Sequence, residues 1–352
     1  MDLRYPFCGE SLFCNLLILR ILYVIMALLD IKELEGFSGV FRGKAGNAFG
    51  RMLMHWLSVD RINELYARHE DVSGPDFARD VLADIGMKVQ IGFADGAFME
   101  DVPYADGAAV PGGAVCGVSE RESALEMLDR LLPQGPFITV SNHPCGHVDG
   151  IALVDIFGHL RPGYKVMVNK VLSRIEALGP NFITVTPTGN ERSAPTAASI
   201  AGVKAALAQL RSGRALGLFP SGAVSDLCLK ERRVRDREWQ DAVVRLIAKA
   251  RVPIVPVRFF DGNSPFYYSL GLIDWRVRLL RLPSEVFNKA DRPMRVGIGP
   301  LLSVALQDSV LESARKNSSC DGDSDALSAF RDFLRSSVYD MHVPEFKDLF
   351  YF

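Results

Sequence analysis

The sequence lacks an excess of either charge. Its 40 Lys and Arg stand against 42 Asp and Glu, for a formal net charge of −2, so a whole-chain basic footprint for nucleic acid is absent. Paired cysteines are missing too: Cys8, Cys14, Cys116, Cys145, Cys228 and Cys320 are scattered, and none forms a CxxC. In a chain of 352 residues that pattern argues against a disulfide framework or a zinc knuckle and for a reducing compartment. Internal repeats and low-complexity tracts are absent. Long apolar runs are scarce: residues 11–29 have the length of a span but carry Asn15 and Arg20, and a mid-span Arg costs about 3 kcal/mol. No small-residue cleavage site follows, unlike a secretory signal. Three readings of this segment stay open: a marginal transmembrane helix, an interfacial or packed helix, or an upstream extension with the native start at Met26.

What the chain does have is apolar content. Hydrophobic residues make up 48%, enough for a sizeable core, and the mean hydropathy of +0.12 fits a protein that touches lipid without being built from spans. Residues 31–85 read as helical, with Phe77, Val81 and Ile85 on one stripe and Gly86 ending it. Residues 87–93 read as a strand and 94–118 as a Gly- and Pro-containing loop. Ser119 and Glu122 form a capping box that opens a helix to about Leu132.

From there short β-rich runs (136–141, 164–168, 182–186, 214–219 and 252–257) alternate with helical stretches at 151–160, 171–178, 200–210 and 231–250. This predicts an α/β layered fold with a largely parallel sheet flanked by helices. A further strand is expected at 294–299, a polar linker at 317–325 and a terminal helix at 326–340. The expected organisation is an apolar segment (1–30), a helical region (31–118), a catalytic domain (119–316) and a linker with a C-terminal helix (317–352).

The segment SNHPCGHVDG (141–150) follows the first β-rich run and places His143 and Asp149 in a loop beside two glycines. A neutral His can take a proton from a hydroxyl attacking a carbonyl. A nearby carboxylate can fix its tautomer and stabilise the imidazolium. No serine or cysteine nucleophile is required.

NHPCGHVDG resembles the first motif of the glycerolipid and lysophospholipid acyltransferase family, a His and an Asp separated by four residues. Here five separate them, which looks like the hemolysin-like and ornithine-lipid-type O-acyltransferase branch. FPSGAVS (219–225) falls where the family has FPEG, and VPIVPV (252–257) matches its apolar Val-Pro strand. Asn263, Ser264, Arg278, Leu282, Glu285, Asn288 and Lys289 also look like that branch, and the likeness extends over roughly residues 50–340.

The resemblance implies transfer of a fatty acyl chain from acyl-carrier protein or acyl-coenzyme A to a lysolipid hydroxyl at a membrane lipid surface. It implies His143 as general base and Asp149 as its partner, with Phe219, Pro220, Ser221, Gly222 and Lys170 meeting the acceptor or the oxyanion. No metal or redox cofactor is implied. The cytoplasmic face of the cell membrane is the expected location, with peripheral attachment or one N-terminal anchor. Ser221 replaces the family's glutamate, which favours a lyso-aminolipid over a phosphate-bearing acceptor.

The residues leave rivals. One is a 1-acylglycerol-3-phosphate acyltransferase. Another is a metal-dependent hydrolase built on His143, His147 and Asp149, although Pro144 and Gly146 oppose a helical ligand pair and no distal His/Asp cluster completes the set. A third is a catalytically inactive lipid-binding protein. Cys145 reads as a buried thiol or a nucleophile. Lys170 and Arg192 read as ligand contacts or solvated cations. The cluster Lys230, Arg232, Arg233, Arg235 and Arg237 reads as a solvated helix face or a contact for anionic headgroups or coenzyme A phosphates. Aromatics at 259–275 followed by Arg276, Arg278 and Arg281 read as ordinary core or as an interfacial segment.

Overall fold

The computed structural model describes residues 43–97, 118–185, 197–317 and 322–347. The expectations for residues 1–30, for Arg192 and for most of the 94–118 loop lie outside the described residues, as do the Ser119 side chain and the centre of the 317–325 linker.

Three helices lead in: α1 (Gly43–Trp56), α2 (Val59–Ala67) and α3 (Gly74–Asp84). The strand β1 (Lys88–Phe93) and helix α4 (Val118–Leu131) follow. The centre consists of β2 (Ile138–Ser141), α5 (His147–Leu160), β3 (Lys165–Asn169), two 3-10 turns (Lys170–Arg174 and Glu176–Asn181), β4 (Phe182–Val185), α6 (Ala197–Arg211) and β5 (Leu216–Leu218). A small hairpin of β6 (Asp226–Cys228) and β7 (Arg233–Arg235) precedes α7 (Asp241–Ala250) and β8 (Ile254–Phe259). Short helices α8 (Pro265–Ile273), α9 (Trp275–Leu280) and α10 (Leu282–Phe287), strand β9 (Pro293–Ile298) and helices α11 (Val304–Asn317) and α12 (Gly322–Tyr339) complete the order.

Seven strands form one sheet in the order β1-β9-β8-β2-β5-β3-β4. Neighbours are parallel except β8 and β9, which run antiparallel, so β1 and β9 oppose the other five. This is the α/β layered architecture expected from the alternation of runs. Core residues cover both faces. Phe77, Val81, Val154, Phe157, Val166 and Val257 pack with α3 and α5 on one side. Ile138, Val140, Leu216, Ile254, Ile247, Phe330 and Leu334 pack with α7 and α12 on the other. Helix α5 is buried at every residue from Val148 to Gly158, as a helix apolar all round must be. Among the described residues no helix is long and apolar enough to cross a membrane.

One expected helix is shorter than its pattern. The stretch 231–250 is helical only over α7; its first ten residues form β7 and a linker carrying Asp236 and Trp239. Alternation over the three residues of β7 is too short to register as a strand, and the many basic residues mimic a solvated helix. The aromatic segment also differs in part: Arg278 is a buried structural cation, whereas Phe266, Ile273, Trp275 and Val277 are exposed.

Candidate active site

Strands β2, β5, β3 and β8 are mutually parallel, so the loops after them gather at one sheet edge. That edge, beyond the carboxyl ends of parallel strands, is where α/β folds bind ligands. The loop after β2 is anchored by Asn142, whose Nδ2 donates to the Phe259 carbonyl (2.9 Å) and whose Oδ1 accepts from the Phe259 N–H (2.7 Å). In this way β2 is tied to β8 immediately before His143.

The chain then turns through Pro144 and Cys145 to Gly146, which adopts φ 78° and ψ −139°, backbone that side chains disfavour. Helix α5 begins at His147, four residues earlier than its apolar pattern predicts, so Asp149 lies in the first helical turn rather than in a loop. Its carboxylate folds back over that turn. Oδ2 accepts from the N–H groups of Cys145 (2.9 Å) and Gly146 (3.1 Å), satisfying donors that a helix start leaves orphaned. The same oxygen accepts from His143 Nδ1 at 3.0 Å.

An ionised carboxylate only accepts, so Nδ1 carries the proton and the Nε2 lone pair is left for a substrate. Among the described residues nothing hydrogen-bonds to Nε2. Asp149 is fully buried while His143 remains partly accessible. The imidazole packs on the Phe219 ring, with centroids 4.1 Å apart and planes tilted by 32°. The arrangement has the form of a general base oriented by a buried carboxylate.

Phe219 opens the turn after β5. Gly222 has φ +64°, and its N–H donates to the Phe219 carbonyl (3.0 Å). That amide is thus engaged within the turn and does not serve an oxyanion here. The Ser221 hydroxyl donates to the Ala223 carbonyl (2.8 Å) and is buried, so it points into the loop. Gln240 braces the turn from the other side, its N–H donating to the Pro220 carbonyl (2.9 Å) and its Nε2 to the Ser221 carbonyl (3.1 Å). Lys170 is exposed at the end of β3, one strand beyond β5. Among the described residues no hydrogen bond joins it to His143, Asp149 or the 219–222 turn.

The neighbouring side chains limit other chemistry. Burial pushes the Cys145 thiol well up, aided by Asp149, and its Sγ contacts the Asp261 carbonyl. A thiol held protonated is a poor nucleophile. Burial, with Lys289 and His143 nearby, pushes His147 down to about 4, so it is neutral at physiological pH. Among the described residues no group of three or more His, Cys, Asp or Glu is placed to hold a metal ion.

Several supports were not legible as such. Arg278 reaches the loop after the turn, donating to the carbonyls of Ser225 and Val224 (both 2.9 Å) and pairing with Asp226 (2.6 Å). The Pro144 carbonyl accepts from Tyr268 (2.8 Å) and from Asn263 Nδ2 (3.2 Å). Asn263 Oδ1 accepts from the buried Lys289 ammonium. Glu285 receives the Ser264 N–H and hydroxyl, both at 2.7 Å. The Asn-Ser and Asn-Lys pairs in the sequence were the signal; their partners lie too far away in the chain to be read.

Comparison with known proteins adds the family. A family model described as acyltransferase matches residues 114–317. A lyso-glycine lipid O-acyltransferase of Bacteroides thetaiotaomicron is 29% identical over 202 residues, covering 52% of this chain and 70% of that protein. One from Phocaeicola vulgatus is 28% identical over 202 residues, covering 52% and 68%.

Proposed function

The chain belongs to the acyltransferase family, and from that premise we propose that it transfers a fatty acyl chain from a thioester to the hydroxyl of a lysolipid. The observation that carries the mechanism is the His143 Nδ1 to Asp149 Oδ2 contact of 3.0 Å, which leaves Nε2 free beside Phe219. In this reading Nε2 takes the hydroxyl proton as the oxygen attacks the thioester carbonyl. Asp149 stabilises the imidazolium. The tetrahedral intermediate then expels the thiolate, the C–S bond breaks, and His143 returns the proton to sulfur. The products are an ester and a free thiol, and the balance needs no metal or redox cofactor.

The acceptor in this reading is a lyso-aminolipid of the kind named for the two relatives. Ser221, which turns its hydroxyl inward, stands where the resembled family carries a glutamate. The donor is acyl-carrier protein or coenzyme A thioester. The 219–222 turn lines the acceptor side, with Lys170 at its edge. The exposed Phe266, Leu272, Ile273, Trp275 and Val277 on α8 and α9 suit peripheral contact with the cytoplasmic face of a membrane.

The test is mass-spectrometric lipid profiling of cells expressing the wild type or His143→Ala, supplied with lyso-glycine lipid or lysophosphatidic acid. A diacylated aminolipid formed only by the wild type supports the reading. A response confined to lysophosphatidic acid replaces the acceptor, and identical profiles remove the mechanism.

A further inference from the structure

We infer that Asp236 is a positioning residue for His143: it holds the backbone of the general base and places a second carboxylate near its imidazole. The inference rests on the acyl-transfer reading above and adds a residue to its machinery.

Asp236 is almost fully buried, yet among the described residues no cation forms an ion pair with its carboxylate. Its charge is met instead by neutral donors. Oδ1 accepts from the His143 peptide N–H at 3.1 Å and from the Ser225 hydroxyl at 2.6 Å, while Oδ2 accepts from Trp239 Nε1 at 3.1 Å. Ser225 closes the second rung, its N–H donating to the His143 carbonyl at 2.9 Å. Both peptide groups that flank the His143 side chain are thereby fixed to one cluster. The catalytic His can shift only if that cluster shifts.

The cluster joins distant parts of the chain. Ser225 ends the segment after the 219–222 turn, and Trp239 is completely buried before α7. The Asp236 N–H donates to the Tyr339 hydroxyl at 2.7 Å, and its carbonyl accepts from Arg335 at 3.0 Å, so α12 braces the same residue. Burial pushes Asp236 above the usual carboxylate range, and the donors Ser225, His143 and Trp239 pull it back. A buried carboxylate without a counter-cation is costly; a task at the His143 loop gives it a reason to be there.

Two carboxylates then contact His143: Asp149 at the imidazole Nδ1 and Asp236 at the peptide N–H of the same residue. The neighbouring His147 is neutral. Among the described residues the titratable and charged groups bonded to Asp236 are His143, Tyr339 and Arg335, with Arg235 lying over the Tyr339 ring. An anion near the imidazole favours imidazolium, the species that forms as the acceptor hydroxyl loses its proton.

The experiment uses the purified full chain with lyso-glycine lipid and either palmitoyl-coenzyme A or palmitoyl-acyl-carrier protein, reading kcat and KM across pH. Asp236→Asn should lower kcat about 10- to 100-fold, as loss of a buried charged hydrogen-bond acceptor does, with KM unchanged. Its acid limb should move to lower pH, because removing an anion makes imidazolium harder to form. Asp236→Glu keeps the charge and displaces it, so kcat should fall while the limb stays. Should Asp236→Asn fail to fold, Asp236→Glu and Ser225→Ala carry the test, and wild-type kcat in both overturns the inference. A purely structural role would lower the melting temperature, raise KM and leave the limb of Asp236→Asn in place; that result also overturns it. Wild type inactive with every donor and with lysophosphatidic acid as well removes the acyl-transfer reading itself, and this inference with it. Active wild type with unaffected variants removes the inference alone.

Discussion

Asp149 Oδ2 serves two structures at once: it accepts from His143 Nδ1 at 3.0 Å and from the N–H groups of Cys145 and Gly146 that open α5. Orientation of the His143 imidazole and the start of the helix are therefore one interaction. Five residues separate His143 and Asp149, and the turn between them passes through Gly146 at φ 78°.

Replacing Asp149 by Asn separates charge from shape. The amide oxygen can take the Oδ2 position and keep the Cys145 and Gly146 N–H groups satisfied, but the charge that stabilises the imidazolium is gone. Activity should fall about 10³- to 10⁴-fold, the scale seen when a catalytic His loses its orienting carboxylate. Near-native circular dichroism and a small change in melting temperature would show that the loss is chemical. Retention of more than a tenth of wild-type kcat would contradict the role given to Asp149.

Gly146 carries the turn itself. Its φ of 78° already penalises a side chain, and an added Cβ would stand 3.0 Å from Leu282 Cδ1. Gly146→Ala should cost about 1–3 kcal/mol and reduce activity together with stability, since the His143–Asp149 geometry depends on the same turn. Chemical denaturation and initial rates on one preparation check both.

These two residues were legible because they stand in one short motif, where chain connectivity forces proximity. The sheet was legible for a similar reason: runs such as 252–257 are apolar and β-branched, and β8 forms there with a small shift in register. Asp236 was not legible. It is separated from His143 by 93 positions, and it sits among arginines whose density imitates an exposed helix. Helix α11 was also missed, since Val304–Asn317 has a diluted apolar stripe ending in polar residues. Arg278 looked like one member of a basic interfacial stretch, and only the fold shows it buried against the loop at 224–226.

That burial gives Arg278 a measurable weight. Its guanidinium neutralises Asp226 and satisfies the carbonyls of Val224 and Ser225. Arg278→Met should destabilise the protein by about 3 kcal/mol, because it strands partners placed to receive a cation. Arg278→Lys should recover only part of this, since an ammonium lacks the planar fork. Thermal melts of the two variants decide the order.

The far end of α5 supplies a pH signature unrelated to catalysis. His159 is raised to about 9, chiefly by its hydrogen bond to the buried Asp155, which also accepts from Arg121. A pKa raised on folding stabilises the native state where the group is charged. The contribution is therefore fully present below the unfolded value near 6.5 and is lost as pH rises through about 9. His159→Gln should melt earlier than wild type at pH 6, with the gap closing by pH 10. A gap independent of pH would contradict this assignment.

The most direct test of the mechanism is single-turnover acyl transfer by the purified full chain, wild type against His143→Ala, at saturating lyso-glycine lipid and acyl thioester. The ester product is followed by mass spectrometry and free thiol by a colorimetric reagent. Ester and thiol should appear in equal amounts with the wild type and fall to background with a folded His143→Ala. Equal ester formation by both proteins, or thiol release without ester, would contradict His143 as the base of an acyl transfer.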